Sequence, residues 1–390
     1  MGTIMWRSTD RILTTHTGSL ARPPELARLL SERASGSAVD PSEFRDQVRA
    51  AIEGAVRRQA DAGIDVVSDG EMGKAGFANY VMDRMTGFGG EDSGAMFRPR
   101  DVYDFPELPQ RLFGSQPATR LRRPANDGPI EYVGHDELAA DLADFGAALA
   151  AVGSDPACAF LPAASPGCVV QIMPSTHYAT RREYLLALAE ALRVEYRAIT
   201  EAGYTLQVDC PDIAMGRHIE FGERTLEEFQ ANLELHVEAL NHGLEGIDPE
   251  RVRVHVCWGN YAGPHHHDVA LRDILDAVYR VNANGISIEG ANPRHEHEWK
   301  VFEERPLPPG KYLIPGVIDT CTNYIEHPEV VAQRIARYAS AVGRENVVAG
   351  TDCGFGTFSG VSAVHPDVAY AKLTSLSEGA RLATRELWPS

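Results

Sequence analysis

Arg253-Val-His-Val-Cys257-Trp-Gly-Asn260 alternates: Val252, Val254 and Val256 interleave with Arg253, His255 and Cys257 before a Gly/Asn turn. Period-two alternation running into a turn predicts a short β-strand and a loop. On a strand, His255 and Cys257 face the same side, one pleat apart. An imidazole and a thiol so placed can share one metal ion, and borderline-soft zinc suits the pair. A core histidine beside a buried thiol explains the same pair without a metal, since free cysteine is commonly buried.

Two further segments repeat the arrangement. Gly285-Ile-Ser-Ile-Glu289-Gly-Ala-Asn292 is an apolar strand with an acid at its C-terminal end, followed by a Gly/Asn loop. Asn346-Val-Val-Ala-Gly-Thr-Asp-Cys353-Gly is a third strand with a thiol just past its end. The C-terminal ends of successive parallel strands converge on one rim in a βα barrel. His255, Cys257, Glu289 and Cys353 then supply nitrogen, sulfur, oxygen and sulfur donors at one place, which points to a zinc site.

The chain has 390 residues, 44% hydrophobic and 24% charged, which is ordinary for a globular protein and within the range of one barrel with insertions. No apolar run reaches membrane-spanning length, and the N-terminus lacks a basic-then-apolar signal pattern. The six cysteines are scattered, unlike a disulfide scaffold, so a reducing cytoplasm is expected. A formal net charge of −18 argues against nucleic-acid or anionic-membrane partners. A homo-oligomer is left open.

Strand and helix patterns alternate along the rest of the chain. Arg11–Ser19 reads as a strand ending in a small-residue turn, and Ile64–Glu71 as a strand with Asp69 and Glu71 at its end. Asp40-Pro-Ser-Glu43 is a helix start with an Asp N-cap, Pro at the first helical position and a capping box. Thr180/Glu183 and Thr225/Glu228 carry the same signal. Pro129–Val133, Cys168–Pro174, Thr205–Asp209 and Leu313–Asp319 also read as strands, and helices are expected near 269–283, 328–343 and 366–387. This makes nine strand candidates, one more than an eight-stranded barrel needs, and Pro129–Val133 is the one set aside. Alternation of this kind predicts an α/β fold, a (β/α)8 TIM barrel, as a single domain over residues 1–390. Residues 86–128 show no clear period and form a long loop insertion, expected to cover the barrel mouth.

A structural zinc site typically uses closely spaced thiolate pairs, whereas these ligands spread across three strand ends and include an exchangeable carboxylate. The matching chemistry is binding a substrate thiol and lowering its pKa, so that a sulfur nucleophile exists near neutral pH. Hydrolysis by zinc-activated water is the competing use. Alkyl transfer to sulfur suits the two thiolate ligands better.

Thr14-Thr-His-Thr-Gly-Ser-Leu-Ala-Arg-Pro23, Asp69-Gly-Glu71, Gln207-Val-Asp209, His255-Val-Cys257, Ile288-Glu289 and Asp352-Cys353 occur in this order. The set resembles the C-terminal catalytic barrel of cobalamin-independent methionine synthase, over most of the chain. The resemblance implies Zn2+ on His255, Cys257, Glu289 and Cys353. It also implies that Gly18, Ser19, Glu71 and Asp209 hold the amino-acid part of a homocysteine-like thiol, and that an alkyl donor is the second substrate. Turn amides suit a carboxylate and paired acids suit an ammonium. The implied activity is an S-methyltransferase of methionine biosynthesis, with Asp209, Glu71 and Cys321 at the catalytic positions.

The chain departs from that family at several positions. It lacks the separate N-terminal barrel of the full-length synthase. The family's pterin-stacking aromatic falls near Met173-Pro174-Ser175, and its catalytic histidine falls at Cys321 in Pro315-Gly-Val-Ile-Asp-Thr-Cys321. Single-barrel relatives such as epoxyalkane:coenzyme M transferase share the start motif and the zinc set, so a thiol transferase or lyase acting on a non-folate electrophile is the alternative. Cys321 reads either as an inert core thiol or as a pocket residue. His16 and His177 are further candidate substrate contacts, and Arg294 a candidate for an anionic substrate group. His265-His-His267 looks like a metal tract on a loop.

Overall fold

The computed structural model describes residues 7–91, 98–113, 123–360 and 362–389. These contain eight short strands, some alternating apolar and polar residues and others, such as Ala159–Ala164 and Tyr312–Ile318, without that alternation. They are β1 (Leu13–Thr14), β2 (Val67–Ser68), β3 (Ala159–Ala164), β4 (Thr205–Asp209), β5 (Val252–His255), β6 (Gly285–Ile288), β7 (Tyr312–Ile318) and β8 (Val348–Thr351). All pair in parallel as a single sheet in the order β1-β8-β7-β6-β5-β4-β3-β2. The two strands that end this order also approach each other. Val66 N–H donates to the Thr14 carbonyl at 3.0 Å, and Thr15 Oγ1 to the Val66 carbonyl at 3.0 Å. Strand order and sense are consistent with a TIM-like barrel.

Side-chain parity divides the core in two. Val252, Val254, Val256, Leu206, Val208, Ile286 and Ile288 pack outward against the helices in the large core. Val66, Phe160, Tyr312, Ile314 and Val348 form a smaller inner cluster with Leu13. Arg253 is fully buried on the inner side. Its guanidinium lies 3.5 Å from the Phe160 ring centroid and donates to Gln207, Thr15 Oγ1 and the His16 carbonyl. A buried arginine is tolerable because these acceptors meet its N–H groups. Because Arg253, His255 and Cys257 share parity, the same alternation carries the two candidate ligands to the inner side, above Arg253.

Capping drives the helix starts. Thr180 with Glu183 and Thr225 with Glu228 form reciprocal capping boxes, opening helices Arg181–Glu201 and Leu226–Gly243. Asp40 accepts from the Glu43 N–H at 2.8 Å to start helix Pro41–Asp61, with only this half of the expected box present.

Two expectations are corrected. Cys168–Pro174 is not a strand. Ser165 accepts from the Cys168 N–H and Pro166 takes the first helical position, making helix Pro166–Ile172. The strand is Ala159–Ala164, masked in the sequence by Pro162 at its centre. With Pro129–Val133 contributing only an isolated Met85–Tyr132 bridge, eight strands remain in the sheet. Within the 86–128 insertion, the described residues include short helices Arg100–Tyr103 and Leu108–Phe113. Phe97 and 120–122 lie outside the described residues.

Candidate metal centre and substrate pocket

Strand register places the site. Asp209, His255 and Ser287 are partners across β4, β5 and β6, so Cys257 and Glu289, each two residues further on, stand level past the strand ends. The ligand atoms of His255, Cys257 and Cys353 all lie within 4.8 Å of one another. Cys257 Sγ and Cys353 Sγ are 3.8 Å apart. Two sulfurs on a tetrahedral zinc, with Zn–S of about 2.3 Å, would be separated by roughly the same distance.

His255 is buried and neither ring nitrogen has a hydrogen-bond partner among the described residues. Burial pushes its pKa down to about 4, so the imidazole is neutral, the form that binds metals. A buried imidazole with both nitrogens unmet is costly unless something else occupies one of them. The hydrogen bond with Cys353 favours the Cys257 thiolate, and the same pairing, with burial, pushes the Cys353 thiol well up. The donor set of one imidazole and two thiols fits zinc.

Glu289 stands beside these three and is not among the converging donors. Its Oε1 accepts from the Trp258 N–H at 2.8 Å and its Oε2 from Asn292 Nδ2 at 2.9 Å. Burial, and then the neighbouring Cys257, hold its pKa well above the usual carboxylate range. Asp352 organises the loop that carries Glu289. It accepts from the N–H groups of Gly290, Ala291 and Asn292 at 2.8, 2.8 and 2.9 Å, and from Asn292 Nδ2 at 3.0 Å. Sequence reasoning noted Asp352 only as a neighbour of Cys353 and gave Trp258 and Asn292 no role. A backbone-capping acid has no periodic signature.

On the β1 and β2 side, Gly18 has φ +125°, and a Cβ there would lie 2.7 Å from Pro162 and 3.2 Å from Glu71 Oε1. Ser19 is buried, and a Cβ on Gly354 would lie 1.9 Å from Ser19 Oγ, so the two loops meet closely beside Cys353. Glu71 is buried with φ +55°, a strained conformation for a non-glycine residue. Its Oε2 has no partner among the described residues, and burial raises its pKa against the pull of Lys74 and Arg22. Asp209 accepts from Gln207 Nε2 at 2.7 Å, and burial raises its pKa to about 7. Two desolvated acids, with Glu71 further raising the pKa of Asp209, can receive a cation.

His16 lies beneath this turn with both nitrogens committed. Nε2 pairs with Gln59 Oε1 at 2.7 Å, and Nδ1 accepts from the Gly18 N–H at 3.2 Å. It therefore shapes the Gly18 turn. Cys321 is half-buried past β7, with Sγ 3.3 Å from Asn260 Oδ1, and burial pushes its thiol well up. His177 is exposed, with its ring edge-on to Tyr178, and Arg294 is exposed. His295 is buried between Asp268 at 3.0 Å and Glu298 at 2.8 Å, its ring against Trp258. No described helix is long and apolar enough to cross a membrane.

Comparison with known proteins matches residues 12–98 and 167–372 to the catalytic domain of the cobalamin-independent synthases. A methionine synthase from Thermococcus kodakarensis is 24% identical over 375 residues, covering 96% of this chain and 94% of that protein. The 2-hydroxypropyl-CoM lyase of Xanthobacter autotrophicus is 23% identical over 244 residues, covering 56% of this chain and 60% of the lyase. A B12-independent methionine synthase from Shewanella sp. W3-18-1, solved with selenomethionine, aligns with a TM-score of 0.67 at 20% identity, covering 97% of this chain and 99% of that one. At that identity the structural likeness speaks to the fold.

Proposed function

Because this chain belongs to the cobalamin-independent methionine synthase family, we propose that it is a zinc-dependent thiol S-alkyltransferase, in the first instance an S-methyltransferase acting on a homocysteine-like thiol. The whole chain would act as one (β/α)8 barrel unit. The observation that carries the reading is the buried His255 imidazole, unmet at both nitrogens among the described residues, converging with Cys257 and Cys353.

His255, Cys257 and Cys353 would hold zinc, with Glu289 as a fourth, exchangeable ligand once its carboxylate turns from the Trp258 amide. When bound, zinc supplies acidification of a substrate thiol. The protein's own residues do the rest. Glu71 Oε2 and Asp209 would bind the substrate ammonium, and the Gly18–Ser19 turn its carboxylate. The strained Glu71 backbone and the tight Gly18 turn preorganise that grip. A C–S bond then forms as the bond from the alkyl carbon to the donor breaks. The donor's leaving group takes the electron pair and, in the end, the thiol proton.

A second reading, addition of a thiol to a non-folate electrophile, is favoured by Cys321. This thiol, held neutral by burial, stands where the family carries a histidine proton donor. No aromatic ring stands at Met173-Pro174-Ser175. The likeness to 2-hydroxypropyl-CoM lyase supports the same alternative.

Zinc content, together with zinc-edge X-ray absorption recorded with homocysteine, coenzyme M and glutathione, tests both. A thiolate-ligated zinc that gains a third sulfur ligand with one thiol is expected and identifies the acceptor. A protein purified and reconstituted without any zinc would refute the proposal.

A further inference from the structure

The loop after β5 carries a second grouping of ligands, on the surface and apart from the site above. His266 Nε2 and His267 Nε2 both reach the same oxygen of Asp104, Oδ2, at 2.9 and 2.6 Å. All three ligand atoms lie within 4.8 Å of one another. Consecutive residues of an extended chain point to opposite sides. Here a turn follows His265, whose φ of +54° is left-handed, and the two rings lie side by side with centroids 4.2 Å apart. His265 is otherwise engaged, with Nδ1 on Asp268 and Nε2 on the Tyr261 carbonyl.

The carboxylate comes from the insertion, 162 positions before His266 in the chain, and its approach is fixed by a buried anchor. Asp101 accepts from Tyr261 Oη at 2.8 Å and from the His265 N–H at 2.6 Å. Asp104 follows one turn later, and the Phe105 ring lies edge-on to His266. Two imidazole nitrogens crowded on one carboxylate oxygen is an arrangement whose centre a cation can take. Two imidazoles and one carboxylate suit zinc, nickel or copper(II) rather than calcium or magnesium.

We propose that Asp104, His266 and His267 form a second divalent transition-metal site, which clamps residues 98–113 onto the loop that follows β5. The site does not depend on the catalytic reading, since it shares no ligand with His255, Cys257 or Cys353.

Titration of the metal-free full chain with Co2+ and with Zn2+ tests it. The comparison proteins are Asp104→Asn and the double variant His266→Ala/His267→Ala, all at exposed or half-buried positions. The wild type is expected to bind a second ion per chain without thiolate charge-transfer absorption, and both variants to bind it at least 10-fold more weakly. Zinc should slow proteolysis within 98–113 in the wild type only. Equal stoichiometry and affinity in wild type and variants would overturn the site. Absence of the thiolate band with the second ion still bound would overturn the catalytic zinc reading alone.

Discussion

Cys257 Sγ and Cys353 Sγ stand 3.8 Å apart although 96 positions separate them in the chain. Both are free thiols beside an imidazole with no hydrogen-bond partner among the described residues. Cys353→Ala should therefore remove the zinc held at this site and all turnover. The barrel should stay folded, at a cost of ~1–2 kcal/mol for the lost buried sulfur. Metal analysis paired with thermal unfolding separates the two effects. Full zinc and full activity in the variant would remove this site from consideration.

Asp352 gathers three backbone N–H groups and the Asn292 amide behind Glu289. Asp352→Ala leaves several buried donors unmet, which costs roughly 2–4 kcal/mol in stability. The milder Asp352→Asn should lower zinc affinity about 10–100-fold by releasing the Glu289 loop. Competition with a chromophoric chelator reads this directly, and unchanged affinity would show that the loop is held by other means.

Glu71 presents a buried oxygen with no partner among the described residues. A charge-assisted hydrogen bond is worth ~1.5–3 kcal/mol, so Glu71→Gln should lower kcat/KM about 10–100-fold for an amino-acid thiol. A thiol without an amino group should be nearly unaffected. An equal loss for both kinds of thiol would exclude ammonium binding at this position.

The pKa of His16 is pushed down to about 4, first by burial and then by the nearby Arg253, against the pull of Gln59. The unfolded chain binds a proton near pH 6.5, which the folded chain refuses until about pH 4. The folded state is therefore fully favoured above pH 6.5, and on the order of 3 kcal/mol of stability is lost as pH falls across that window. In metal-free protein, His16→Gln should flatten the acid limb of the stability profile. A variant with the same slope as wild type between pH 4 and 6.5 would contradict this origin.

The parts of the fold that could be read from the chain were those set by local pattern. Period-two alternation at Val252–Cys257 and Gly285–Glu289, the capping pairs Thr180/Glu183 and Thr225/Glu228, and the acids and thiols at strand ends all survive in the structure. Strand β3 did not show, because Pro162 interrupts its pattern while Ser165-Pro166 turns the following β-branched run into a helix.

Parity by itself puts His255 and Cys257 on one face, because a strand has no other way to orient alternate side chains. Only the tertiary structure decided that Cys353 reaches them, that Glu289 leans on the Trp258 amide, and that Asp352 organises its loop. It alone brought Asp104 to His266 and His267. Those relations depend on strand register and on where backbone N–H groups point once distant segments meet, and neither is written in the spacing of residues along the chain.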